Sequence, residues 1–175
     1  AEFREHLGER IDFALESGQT QMILSSFGLP RTATLDDWRK AADELNKMGM
    51  QAKKGGLQMG FHNHHGEFEK LEDTLIYEEL LKVFDPEYIK MQFQVAVISI
   101  GYKAVDYFNK YPGRFISAHF ADWSAEKKGE VPVGQGVVNW KELIAALPKG
   151  GVKNIFVEMS EQTFKPSVDY LKSIL

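Results

Sequence analysis

A helix-patterned stretch followed by a short strand-patterned one recurs five times along this chain, and that alternation limits the fold more than any other feature. Phe3, Leu7, Ile11 and Ala14 share a helical face that stops at Gly18, ahead of "TQMILSS". Thr34 with Asp37 three residues on reads as a helix N-cap, followed by Trp38, Ala42, Leu45 and Met48 at helical spacing. "KKGG" ends that helix and "LQMGFHNH" follows. "YEELLKVF" leads to "YIKMQFQV", "KAVDYFNKY" to "RFISAHF", and "NWKELIAAL" to "VKNIFVEM", with a last helix expected near Pro166. "KGGLQMGFH" and "KGGVKNIFVE" are close to one sentence written twice. Strands alternating with helices predict an α/β fold whose parallel strands are joined by right-handed crossovers. The strands are expected at residues 20–26, 57–63, 89–95, 115–120 and 153–158.

Register within these strands narrows the architecture. Leu57, Met59 and Phe61 alternate with Gln58, Gly60 and His62; Met91, Phe93 and Val95 alternate with Gln92 and Gln94. Ile116, Ala118 and Phe120 alternate with Ser117 and His119, and Ile155, Val157 and Met159 with Asn154, Phe156 and Glu158. Strands of a doubly wound sheet are apolar on both faces. One apolar face and one polar face, with the polar groups gathered at C-terminal strand ends, suit a barrel whose mouth is an active site. A full (β/α)₈ TIM barrel needs about 250 residues. The 175 residues here hold about five βα units and no linker, and they read as a single domain, the C-terminal part of such a barrel without its first strands. The exposed edge this leaves on the strand holding Met22 and Ile23 would suit a second chain, hence a homo-oligomer.

Strand ends gather the groups that carry chemistry. His62, Gln94, His119 and Glu158 would meet at one mouth: two imidazoles, an amide oxygen and a carboxylate, a donor set for Zn²⁺, Mn²⁺ or Co²⁺. With no cysteine in the chain, thiolate ligands and nucleophiles are excluded. His64, two residues beyond His62 and on the same side, is a candidate for substrate contact or for proton transfer beside Glu158. Asn63, Asp122, Trp123 and Gln135 are candidate substrate contacts, Gln135 at the tip of the glycine-flexed loop "VPVGQGVVNW" and Asn139 capping the helix after it. His65 has the wrong parity, and Glu67 and Glu69 read as a solvated turn. The net charge of −4 with scattered Lys and Arg argues against nucleic acid. No run reaches membrane-spanning length. The chain starts at Ala1, so whether a leader precedes it, and whether the protein is cytoplasmic or exported, stay open.

"GFHNH..EFE", "YPGRFISAHFADW", "VPVGQGVVNWKEL" and "VKNIFVEM", in this order, resemble the sugar phosphate isomerase/epimerase family, the xylose isomerase-like TIM barrels, over roughly residues 35 to 175. The resemblance implies a divalent metal held by Glu, Asp, His and Glu on the fifth to eighth strands, with the two glutamates moving the proton of an isomerisation or epimerisation. His119 and Glu158 match the seventh- and eighth-strand positions. His62 stands where the family has Glu, and Gln94 where it has Asp, so two negative charges and the glutamate pair are lost, and the resemblance implies a metal held weakly or not at all. The expected function is therefore a metal-dependent enzyme that removes a proton next to the carbonyl of a small sugar or keto-sugar, isomerase by resemblance or lyase by the surviving residues. A non-catalytic carbohydrate-binding relic of the same fold is the alternative. An endonuclease IV-like DNA-repair role would require a larger zinc cluster and a basic surface.

Overall fold

The computed structural model describes residues 5–175, and Phe3 of the first expected helix lies outside the described residues. The chain expected as one domain divides into two compact units, Ala1–Met91 and Gln92–Leu175.

The first unit opens with helix α1 (Leu7–Glu16) and strand β1 (Gln21–Leu24). Helix α2 (Leu35–Lys54) follows, started by the expected capping box: Thr34 Oγ1 accepts the Asp37 N–H, and the Asp37 carboxylate accepts the Thr34 N–H. These bonds satisfy amides that the first turn of any helix leaves without a partner. Strand β2 (Gln58–His62) pairs in parallel with β1, Ile23 opposite Gly60 and Leu24 opposite Phe61. Leu57, Met59 and Phe61 are buried as their alternation predicts, and α2 packs on β2 through its apolar stripe. Phe61 stacks on Phe27 at 4.6 Å and tilts against Phe84 at 5.5 Å, which makes an aromatic centre for this unit. A short antiparallel hairpin, β3 (Lys70–Leu71) with β4 (Thr74–Leu75), then turns the chain into helix α3 (Ile76–Val83). Strand β5 (Ile89–Gln94) begins in this unit and ends in the next. The hydrogen-bonded order in the first unit is thus β1-β2-β5.

In the second unit a 3₁₀ segment, Val95–Ile100, follows β5, and helix α4 (Ala104–Lys110) leads to strand β6 (Phe115–Phe120). A second hairpin, β7 (Asp122–Ser124) with β8 (Gly129–Val131), comes next, then helix α5 (Trp140–Gly150), strand β9 (Asn154–Val157) and helix α6 (Glu161–Ile174). The order here is β5-β6-β9, with β6 and β9 parallel and His119 opposite Phe156. Phe93, Phe108 and Phe115 meet edge to face in the core of this unit.

All five expected strands form, with no end more than two residues from its expected place. Two features depart from the sequence reading and a third adds to it. The two hairpins lie where loops were expected. The polar strand face carries a hydrogen bond between strands: Gln92 and Ser117 are both buried and bonded to each other, Nε2 to Oγ at 2.9 Å. The last helix begins at Glu161, so Pro166 stands inside it rather than at its start. Its first turn is anchored from elsewhere, because Glu130 on β8 accepts hydrogen bonds from the Ser160 amide and from the Ser160 and Thr163 hydroxyls. Burial pushes the Glu130 carboxyl up, but these three bonds outweigh it and hold the group below the ordinary glutamate value.

Candidate active site

Parallel pairing sets His119 and Phe156 side by side on one face, and Glu158, two residues beyond Phe156, returns to that same face. The ladder continues past β9 through the Glu158 N–H, which donates to the Phe120 carbonyl at 3.2 Å, so the backbone carrying this carboxylate is held. His119 Nδ1 lies 2.7 Å from Glu158 Oε2. The Phe156 ring stands edge-on to the imidazole at 5.7 Å and walls one side.

Gln94 joins this pair at the end of β5. Its Oε1 accepts the Ala96 N–H at 3.2 Å, which turns the amide NH₂ toward Glu158, where Nε2 donates to the same Oε2 that His119 meets. The opposite orientation would set Oε1 against a carboxylate oxygen and NH₂ against an N–H, so these two contacts fix the amide. One carboxylate oxygen therefore receives both an amide and an imidazole, while the Glu158 side chain stays 53% exposed and the His119 side chain 20%. An imidazole and a carboxylate on adjacent strand ends fit a borderline divalent cation. Gln94 as oriented offers a donor to Glu158 and not an oxygen to a cation.

The other expected residues are placed as follows. His62 closes β2 in the first unit and is buried, with the His64 ring edge-on to it at 4.8 Å. Asn63 is fully buried. His64 is exposed and its backbone N–H donates to Glu67 Oε2 at 2.7 Å. Glu67, read as part of a solvated turn, is instead 5% exposed, because the 3₁₀ turn Gly66–Phe68 folds it inward. Trp123 is half-buried on β7, and Gln135 is at the exposed tip of its loop.

Asp122 differs most from expectation. It is 2% exposed, and its carboxylate accepts the N–H groups of Trp123, Gly134, Gly136 and Val138 and the Trp140 indole Nε1, the last at 2.7 Å. A carboxylate with five donors orders the loop it sits under, and that geometry leaves no lone pair directed at a substrate. The glycines of "VGQG" have specific reasons. Gly134 takes φ +89° with the Tyr170 ring against it, and a Cβ on Gly136 would stand 2.5 Å from the Trp123 carbonyl oxygen. Asn139 caps α5 as expected, its Oδ1 accepting the Glu142 N–H. An acidic residue shortly before a glycine-rich loop ending in Trp was the available signal for this hub.

The chain is 26% identical over 182 residues to inosose dehydratase 2 of Bacillus cereus, covering 92% of this chain and 60% of that protein. It therefore spans about 60% of the length of the curated relatives it matches. Its fold superposes on a crystal structure of a sugar phosphate isomerase/epimerase from Parabacteroides distasonis with a TM-score of 0.84 at 24% identity, covering 98% of this chain and 64% of the other. The IOLI protein crystallised with a bound zinc atom gives a TM-score of 0.70 at 11% identity, covering 99% and 69%. No described helix is long and apolar enough to cross a membrane. The family model for the xylose isomerase-like TIM barrel matches residues 1–174, and with it the chain belongs to that family.

Proposed function

We propose that this chain supplies the proton-transfer residues of an enzyme that dehydrates a keto-sugar or related cyclic keto-polyol. The observation that carries the reading is a single half-exposed carboxylate, Glu158, gripped at one oxygen by His119 and Gln94. Isomerisation by the family's glutamate pair needs a second carboxylate, and His62 stands in that place. The names of the dehydratase relatives support elimination over isomerisation. The nearest competing reading is an isomerase or epimerase of the same substrate class.

In the proposed reaction Glu158 takes the proton from the carbon next to the carbonyl. The electron pair of that C–H bond forms the new C=C bond, and the C–O bond to the β-hydroxyl breaks. His64 gives its proton to the departing oxygen, so the hydroxyl leaves as water. His119 and Gln94 hold Glu158 in one rotamer and so set the direction of its attack. A divalent metal (Zn, Mn or Co) carried by His119 and Glu158, with His62 and Gln94 added by the family pattern, would polarise the substrate carbonyl. Gln94 would have to turn its amide over to serve as a ligand. Asn63, Trp123 and Gln135 are proposed substrate contacts; Asp122 acts by holding the loop that carries Gln135.

The test is turnover of a panel of keto-sugars and cyclic keto-polyols by the full-length protein with added Mn²⁺ or Co²⁺. Glu158→Gln is expected to abolish dehydration, and His64→Asn to lower kcat by about 10²–10⁴-fold, the usual worth of a general acid or base. Full activity of Glu158→Gln would refute the assignment. Absence of both turnover and bound metal would favour a carbohydrate-binding relic.

A further inference from the structure

Glu158 stands one residue past the end of β9, the least enclosed of the main strands in its unit. That strand closes the order β5-β6-β9, and none of its four residues is buried. Packing at this strand end does little to fix the carboxylate, so the segment between β9 and α6 is held by hydrogen bonds. On the β9 side the Glu158 N–H reaches the Phe120 carbonyl at 3.2 Å. On the α6 side one oxygen of Glu130, Oε1, accepts the Ser160 N–H at 2.9 Å, the Ser160 hydroxyl at 2.6 Å and the Thr163 hydroxyl at 2.5 Å. Bonds to an ionised acceptor are stronger than those between neutral groups. Ser160 is the N-cap residue of α6, yet its hydroxyl caps no amide of its own first turn. A serine at that position ordinarily accepts one of those amides; here the hydroxyl is turned to Glu130 instead. The body of α6 is docked separately. Ser167 is fully buried, accepts the Val133 N–H at 3.0 Å and donates to the Thr163 carbonyl at 2.5 Å, and Leu171 is buried as well.

We infer that Glu130 is a positioning residue for Glu158: from the hairpin β7–β8 it grips the residue two beyond the proposed base and so fixes where that carboxylate stands. Trp123 lies directly opposite Glu130 in the hairpin register, so one strand pair carries both a proposed substrate contact and the grip on the base. The inference rests on the proposed function for the role of Glu158 as base; the grip itself is read from the hydrogen bonds. A reacting group displaced by about 1 Å can lose about 10²-fold in rate. A lost helix anchor, by contrast, lowers stability and leaves the rate of the folded molecules as it was.

The experiment compares the full-length parent with Glu130→Ala and Glu130→Gln. It follows turnover of the keto-polyol that the parent dehydrates, amide hydrogen exchange of residues 154–160, and the ¹⁵N signal of His119 Nδ1 without added metal. Glu130→Ala is expected to lower kcat by about tenfold or more with KM within about twofold. It is also expected to speed exchange at Glu158 and Ser160 by about tenfold while β6 keeps parent rates, and to move the His119 signal toward that of a free imidazole. Glu130→Gln keeps an acceptor oxygen for the same donors and is expected to stay within about threefold of the parent. Should Glu130→Ala not fold, Ser160→Ala takes its place, removes one of the three donors and is expected to shift the same signals in the same direction. Parent-like kcat and exchange in the variant used, a raised KM alone, or a lower melting temperature with kcat unchanged would overturn the inference. Where the parent turns over no compound, the exchange and His119 signals decide by themselves. An inactive Glu158→Gln beside a parent-like Glu130→Ala removes the grip alone. Full turnover in Glu158→Gln beside faster exchange at Glu158 in Glu130→Ala removes the proposed reaction alone.

Discussion

At the residue scale, Asp122 shows how a side chain of catalytic type is absorbed by structure. Its two oxygens accept from four backbone amides and one indole, all under a loop whose glycines make the approach possible. Asn is nearly isosteric, but its NH₂ would face N–H groups that now donate to the carboxylate. Each buried donor left unsatisfied costs about 1–3 kcal/mol, so Asp122→Asn is expected to lower stability by about 2–4 kcal/mol in urea denaturation. Gly136→Ala should act in the same direction by pressing on Asp122 and the Trp123 carbonyl. A neutral effect of Asp122→Asn would return this carboxylate to the list of substrate contacts. Glu158 is the opposite case: held at one oxygen and half-exposed, it keeps the freedom that proton transfer needs.

At the scale of elements, local rules succeed where the determining partners are near in sequence. Thr34 and Asp37 are three residues apart, and their mutual hydrogen bonds start the longest helix; bonds from Thr34 also hold the Asp37 carboxyl below its usual value. Thr34→Ala is expected to cost about 1 kcal/mol, the typical worth of an N-cap, read as a lower denaturation midpoint at unchanged m-value. No change in midpoint would mean that packing alone fixes where α2 starts. Helix α6 starts ahead of Pro166 because its first turn is fixed by Glu130, thirty residues upstream of Ser160, and not by the proline that marks many helix starts. The hairpins β3–β4 and β7–β8 leave no mark in the sequence because two- and three-residue strands are too short to display a period.

For the whole molecule, the proposed metal gives a measurable consequence. A cation that binds only the folded chain adds about 2.7 kcal/mol at a concentration 100 times its Kd. Zn²⁺ or Mn²⁺ is thus expected to raise the melting temperature of the parent, EDTA to reverse the rise, and Glu158→Gln to abolish it. An identical rise in Glu158→Gln would locate the cation elsewhere.

Sequence alone determined the number and chain order of the five main strands, the faces of four of them, the caps of α2 and α5, and the presence of Glu158 and His119 on one face. These follow from the two-residue period of a strand and from hydrogen bonds that close within a few residues. Tertiary structure decided the rest. It committed Asp122 to a loop, turned Glu67 inward, and aimed the Gln94 amide at Glu158. Each of these depends on where donors and acceptors stand in space once the backbone is in place. The direction of a hydrogen bond between residues sixty-four apart, as for Gln94 and Glu158, has no local period to announce it.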